Sequence, residues 1–164
     1  MKWILSAALA LLLSTPAMAG DFTAGLAAPW NGKTIPKGAQ CGQQGGSGLT
    51  PPIVLSGLPK GTVAVLVEYD DRDYRPLSSG GGHGILLYPV KGSSATLPQV
   101  PEMTAKLPHG VRVYKPSRAS GKFKTPGFIG PCSGGRHNMY TATIKPIDGQ
   151  GQVLGKVKIK LGRY

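Results

Sequence analysis

Thr62-Val-Ala-Val-Leu-Val-Glu-Tyr69 is the clearest strand signal in the chain, because β-branched and apolar side chains occupy both parities. A strand that is apolar on both faces belongs in the centre of a fold. Before it stands a turn, Ser56-Gly-Leu-Pro-Lys-Gly61, preceded by a short apolar strand at 53–55. After it, Gly80-Gly-Gly-His83-Gly84 leads into a second apolar strand at 85–90.

The remaining segments extend this pattern. Residues 111–114 alternate as a half-buried strand, and 140–147 and 153–161 read as two strands joined by Asp148-Gly-Gln-Gly151. In the last of these, Val157, Ile159 and Leu161 alternate with Lys156, Lys158 and Lys160, which gives one wet face and protects an edge strand from pairing with other chains. Residues 21–40 suggest only short extended pieces around a turn at Asn31-Gly32, and 41–52 an irregular segment. Residues 92–106 suggest at most one helical turn, near 101–106. About six short strands, 25 glycines, 15 prolines and no long helical pattern predict an all-β sandwich.

The chain opens with Met1-Lys2, an apolar run over 3–13 and then Ala17-Met18-Ala19. This is the form of a secretory signal peptide, so residues 1–19 are expected to be removed and 20–164 to form a single domain, periplasmic or secreted. The apolar run is too short to span a bilayer comfortably, and no later stretch is a transmembrane candidate. In an oxidising compartment the two cysteines, Cys41 and Cys132, most simply form one disulfide. Loss of Lys2 would lower the formal net charge of +12 by one, leaving a strongly basic chain attracted to acidic partners.

Chemistry concentrates in two places. Of seven acidic residues, Glu68, Asp70, Asp71 and Asp73 fall within six positions at the end of the central strand, an arrangement that calls for cations, donors or a partner. Gly127-Phe-Ile-Gly-Pro-Cys-Ser-Gly-Gly-Arg-His137 joins close-approach glycines, a possible disulfide anchor and a titratable ring. Asp71, Asp73 and His83 beside this loop would form a small pocket for an anionic group. His109, flanked by Pro108 and Gly110, reads as an exposed turn residue without a role.

These residues resemble the phosphatidylethanolamine-binding protein family, in particular its small bacterial kinase-inhibitor-like branch. The resemblance rests on Asn31-Gly32-Lys33-Thr34-Ile35-Pro36, Cys41-Gly42 with Thr50-Pro51-Pro52, and Ser56-Gly57-Leu58-Pro59-Lys60-Gly61-Thr62. It continues through Asp71-Arg72-Asp73, His83, and Gly130-Pro131-Cys132 with His137. Where the family has prolines in its aspartate motif this chain has Arg72 and Tyr74, so Asp70-Asp71 is a competing alignment. Gly82 and Gly84 replace aromatic neighbours of the pocket histidine, which predicts a wider, less apolar pocket. Ser133 replaces a proline, and Tyr140 sits one position later than the family's histidine-x-tyrosine spacing.

The resemblance implies a β-sandwich with few short helices and a cavity for phosphate-like or carboxylate anions, formed by Asp71, Asp73, His83, Gly130, Pro131, His137 and Tyr140. An aspartate bonded to an imidazole would favour the charged ring, and backbone N–H groups near Gly130 would complete an anion nest. The implied function is a binding module for a small anion or phospholipid headgroup, possible inhibition of a protein partner included, with no cofactor and no metal. Three other readings use the same residues. A hydrolase would take His83 or His137 as base beside an aspartate, with Ser133 the candidate nucleophile in the absence of a Gly-x-Ser-x-Gly elbow. Two histidines and two aspartates would suit zinc or iron if they converged. The basic face alone could bind a polyanion, although the low aromatic content argues against single-stranded nucleic acid.

Overall fold

The computed structural model describes residues 21–164, so the expected targeting segment, 1–19, lies outside the described residues. Eight strands form: β1 (Thr23–Leu26), β2 (Ile53–Ser56), β3 (Ala64–Asp71), β4 (Gly84–Pro89), β5 (Ser94–Leu97), β6 (Arg112–Lys115), β7 (Met139–Ile147) and β8 (Val157–Arg163). Helical structure is confined to three single turns of 3-10 type, Gly42–Gln44, Arg75–Leu77 and Gly121–Phe123. The strands make two antiparallel sheets, β1-β2-β5 and β6-β4-β3-β7-β8. The all-β expectation holds.

The stretch at 62–69 becomes β3 at the centre of the larger sheet, displaced two residues toward the C-terminus and paired with β4 and β7 on its two sides. Its alternate residues divide cleanly. Val65, Val67 and Tyr69 enter the core with Leu86 and Tyr88 of β4, Ala142 and Ile144 of β7, and Leu161 of β8. Ile53, Leu55 and Leu97 meet them from the smaller sheet, and Trp30, Val100 and Phe128 fill the space between. The two core phenols are satisfied: Tyr69 and Tyr88 hydroxyls lie 3.2 Å apart, and Thr50 Oγ1 accepts the Val100 N–H at 2.9 Å beside them. Burial pushes both phenol pKa values up, which keeps the protons that this relay needs.

Two strands exceed the sequence expectation. β1 and β5 are short and without strong strand character, and each forms by pairing with β2, so tertiary contact overrides weak local preference. No helical turn forms at 101–106. The backbone there and just before it is bound across the chain, with Thr50 N–H on the Val100 carbonyl (3.0 Å) and Met103 N–H on the Phe128 carbonyl (2.9 Å). β8 begins at Val157 rather than at Val153, which makes only an isolated bridge to Ile147. It is an edge strand, with Lys158 and Lys160 exposed and Leu161 buried.

Cys41 and Cys132 form the expected disulfide, their Cα atoms 5.3 Å apart across a sequence separation of 91. The bridge and the Cys41 N–H to Pro131 carbonyl bond (2.8 Å) pin the glycine-rich loop to the start of the domain. For a closed loop of this size the chain-entropy model gives roughly 4–5 kcal/mol as an upper figure.

If the two sheets share one packed core, Leu55→Ala, at a site with no solvent exposure, lowers unfolding free energy by about 2–5 kcal/mol in urea titrations. Val63→Ala, at a position 49% exposed, changes it by less than about 0.5 kcal/mol.

Candidate functional site

Strand alternation decides which carboxylates face a cavity. Tyr69 and Asp71 share the inner parity of β3, whereas Glu68 and Asp70 take the outer one. Asp70 Oδ1 accepts the Gly82 N–H at 2.8 Å. Asp71 Oδ1 accepts the Asp73 N–H (3.1 Å), and its Oδ2 accepts an Asn138 Nδ2–H (2.8 Å). Asp73 Oδ2 accepts the Met139 N–H (2.8 Å) and Arg163 Nη1 (3.1 Å). The Met139 amide, aided by Arg163, holds the Asp73 carboxyl below the ordinary range. The pair facing the cavity is thus Asp71 and Asp73, in preference to Asp70 and Asp71.

His83 is buried, and its ring stands edge-on to Tyr140 at 5.4 Å. Its backbone is fixed by two bonds, His83 N–H to the Tyr69 carbonyl (2.9 Å) and Ile129 N–H to the His83 carbonyl (3.0 Å). The Ile129 carbonyl also lies 2.9 Å from Nδ1. A carbonyl can only accept, so Nδ1 carries the proton. Burial depresses the ring pKa, opposed in part by the Ile129 carbonyl and the Asp71 charge. The neutral tautomer then presents Nε2 as an acceptor, and among the described residues no protein group bonds to it. This differs from the expectation of an aspartate-bound, charged imidazole. The hydrogen-bond partner of the ring is a backbone carbonyl, and desolvation outweighs the nearby carboxylate.

The loop after Ile129 closes the site. Cys132 N–H donates to the Tyr140 hydroxyl oxygen (3.0 Å), and the phenol proton faces the Asp71 carboxylate beside it. Burial, then the Asp71 charge, push the Tyr140 pKa up, so that proton is retained. Arg136 Nη1 donates to the Ser133 carbonyl (3.0 Å), and Ser133 Oγ donates to the Tyr164 carbonyl (2.6 Å). The result is a cavity of about 430 Å³, with Asp71, Asp73, His83, Arg136, Asn138 and Tyr140 supplying polar groups and Leu77, Phe123 and Ile129 among the apolar ones.

Four expected residues, Asp71, Asp73, His83 and Tyr140, therefore line one cavity, while Gly130, Pro131 and His137 do not belong to its lining. His137 is exposed and has φ of 65°, a left-handed conformation, and its carbonyl accepts from Arg163 (2.8 Å). The residue two before Tyr140 is Asn138, and it is Asn138 that shares the cavity. Counting back by two from Tyr140 would have found it. Arg136 carries no such sequence signal beyond its place in the loop.

Gly130 N–H donates to Glu102 Oε2 (2.7 Å), and Gly42 N–H donates to Glu102 Oε1 (2.6 Å). The anticipated nest is thus filled by the chain's own carboxylate, which bridges two loops beside the disulfide. Pro131 is buried and serves the Cys41 contact. Nor do Gly82 and Gly84 widen the cavity. A Cβ on Gly82 would meet Leu77 backbone at 2.2 Å, and Gly84, at φ of 119°, lies 3.0 Å from the Phe128 Cα by the same measure. Close packing requires both glycines. Among the described residues no three His, Cys, Asp or Glu side chains gather as metal ligands.

No protein-family model matches the sequence, and no curated protein does. Among solved structures the fold is similar to that of YbcL from E. coli, described as a new member of the mammalian phosphatidylethanolamine-binding protein family. The TM-score is 0.57 and identity 21%, over 87% of this chain and 97% of YbcL. It is also similar to a phosphatidylethanolamine-binding protein homologue from Chlamydia trachomatis, with TM-score 0.54 and 17% identity over 87% of this chain and 96% of the other. The chain has a phosphatidylethanolamine-binding-protein-like fold.

Glu102→Ala would leave the Gly42 and Gly130 amides without their charged acceptor. Unfolding free energy should fall by roughly 1.5–3 kcal/mol, read by chemical denaturation with the disulfide intact. A change near zero would mean that the carboxylate does not hold the two loops together.

Proposed function

We propose that the chain is a binding module whose cavity takes a small ligand bearing a phosphate or carboxylate, a phospholipid headgroup included, and that it acts outside the cytoplasm. The observation that carries this reading is the meeting of Arg136, the Tyr140 hydroxyl and an unpartnered His83 Nε2 around one cavity. Arg136 supplies the permanent positive charge and Tyr140 a neutral polar group beside Asp71. Two carboxylates share the lining, so a bare dianion is disfavoured. A ligand with an anionic end toward Arg136 and a cationic or hydroxyl end toward Asp73 matches the charges better. The likeness of fold to phosphatidylethanolamine-binding proteins supports the same ligand class. The expected signal peptide and the disulfide support the compartment.

The geometry favours binding over hydrolysis. Ser133, the candidate nucleophile, is buried and its hydroxyl is committed to the Tyr164 carbonyl. The one cavity histidine is tied through Nδ1 to a carbonyl, without the carboxylate that would stabilise a charged ring in a triad-like relay. Asp71 and Asp73 both have donors from the Asn138 to Met139 segment and so act as struts of the site.

His83 makes ligand affinity depend on pH, and the sign follows from its depressed pKa. In the unfolded chain the ring titrates near 6.5, and in the folded one lower, so lowering pH through this range destabilises the free protein. An anion beside Nε2 favours imidazolium and offsets that loss. Binding of glycerophosphoethanolamine, whose phosphodiester does not titrate near neutrality, should therefore tighten as pH falls toward the depressed His83 pKa of the free folded protein. Calorimetric titration at stepped pH values reads this directly. His83→Gln should flatten the profile, and Arg136→Ala should weaken binding roughly tenfold or more at every pH. Wild-type affinity that is independent of pH and of Arg136 would remove the cavity as the binding site.

A further inference from the structure

The larger sheet has a second face, pointing away from the core, and none of the helical turns is long enough to form a layer over it. The 75–82 segment backs one end, where Gly81 lies on Ile85. Strand register defines what the rest presents. Arg112, Leu87, Leu66 and Lys145 stand side by side across β6, β4, β3 and β7. The next row is Lys115, Ile85, Glu68, Thr143 and Lys158, and the next Asp70, Thr141 and Lys160. Ile85, Thr143, Asp70 and Thr141 are buried, so the open part is the row of Leu66 and Leu87 and the edge cations. Lys156 joins Lys145 and Lys158 around a shallow groove of about 230 Å³.

The charges on this face do not cancel. Glu68 is bonded to Lys145 at 2.5 Å, and Asp70 is buried against the Gly82 amide. Among the described residues Arg112, Lys156, Lys158 and Lys160 have no carboxylate partner. They lie on the two opposite edge strands, about 19 Å apart at the usual strand spacing. Between them sit the half-buried Leu66 and Leu87, and on β6 the exposed Lys115 pairs with Ile85 beyond a register shift, adding a second cation to that edge. Protection of an edge strand accounts for the β8 lysines, but not for a cation on the opposite edge or an apolar centre.

We infer that this face docks on an anionic lipid bilayer, with Leu66 and Leu87 against the interface and the flanking cations against lipid phosphates. Cations at both edges of a broad sheet complement a plane of charge. A nucleic-acid strand would instead be tracked by a continuous basic path with stacked aromatics, and cations split between two edges with leucines between them do not provide that. Lysine side chains lay their apolar stems along such an interface and keep the charge at the headgroups. The inference does not depend on the cavity, which opens on the other parity of β3 and β7.

Co-sedimentation with vesicles tests it. The protein should bind vesicles of phosphatidylcholine mixed with phosphatidylglycerol, lose them in high salt, and ignore phosphatidylcholine alone. Each lysine near an anionic surface contributes about fivefold in partitioning, so Lys156→Gln/Lys158→Gln/Lys160→Gln should weaken binding roughly a hundredfold. Lys37→Gln/Lys60→Gln/Lys91→Gln, an equal charge loss at exposed positions off this face, should cost less than about tenfold. Three results would overturn the proposal: no vesicle binding, equal losses in the two triple variants, or β8-lysine-dependent retention of duplex DNA without vesicle binding.

Discussion

The two-residue alternation of β3 and β7 is the constraint on which the rest of the structure depends. Each residue of these central strands must face either the core side or the outer side, and register pairing leaves no intermediate choice. On one parity run Val65, Val67, Tyr69 and Asp71, opposite Ile144, Ala142 and Tyr140. The same row that is apolar in the middle of the sandwich becomes polar at its end, and there it lines the cavity. The other parity carries Leu66, Glu68 and Asp70 opposite Lys145, Thr143 and Thr141. A slip of one residue would exchange the two faces, burying lysine and exposing valine. The hydrophobic pattern therefore fixes core, cavity and basic face together.

The cavity also needs its lid held in place, and the chain does this with contacts distant in sequence. The disulfide, the Glu102 carboxylate between Gly42 and Gly130, and the Tyr140 hydroxyl beneath Cys132 all act on the 127–137 loop. Asp71 and Asp73 fix the following segment through Asn138 and Met139. Arg136 is carried between these two anchored pieces. Its position at the cavity is thus set by side chains from four separate parts of the chain, while its own contact is a single bond to the Ser133 carbonyl.

Much of the fold was legible because strong strands announce themselves. β3, β4 and β7 carry β-branched or apolar runs, and the lysine alternation of β8 marks an edge. β1 and β5 were not legible, since Ala24-Gly25 and Ser94-Ala95-Thr96 have no strand preference until β2 offers them a partner. At the site, Asp71, Asp73, His83 and Tyr140 could be read from spacing and resemblance. His137 misled because a left-handed residue between the loop and β7 resets the parity, and Asn138 takes the inward position. The occupied nest at Gly130 was hidden for a different reason. Glu102 reaches it from 28 residues away, with no periodic pattern linking the two. The tautomer of His83 depends on a backbone carbonyl, which sequence does not display.

Two surfaces of different character thus arise from one sheet: a partly enclosed cavity at its inner end and an outer face with unpaired cations at its two edges. The central claim concerns the cavity, and a crystal structure of the protein grown with glycerophosphoethanolamine tests it most directly. The account predicts ligand density inside with phosphate oxygens on Arg136, joined by a hydrogen bond from His83 Nε2 in crystals held at a pH low enough to protonate that ring. A cavity that stays empty while the ligand lies against the β8 lysines, or nowhere on the protein, would contradict it.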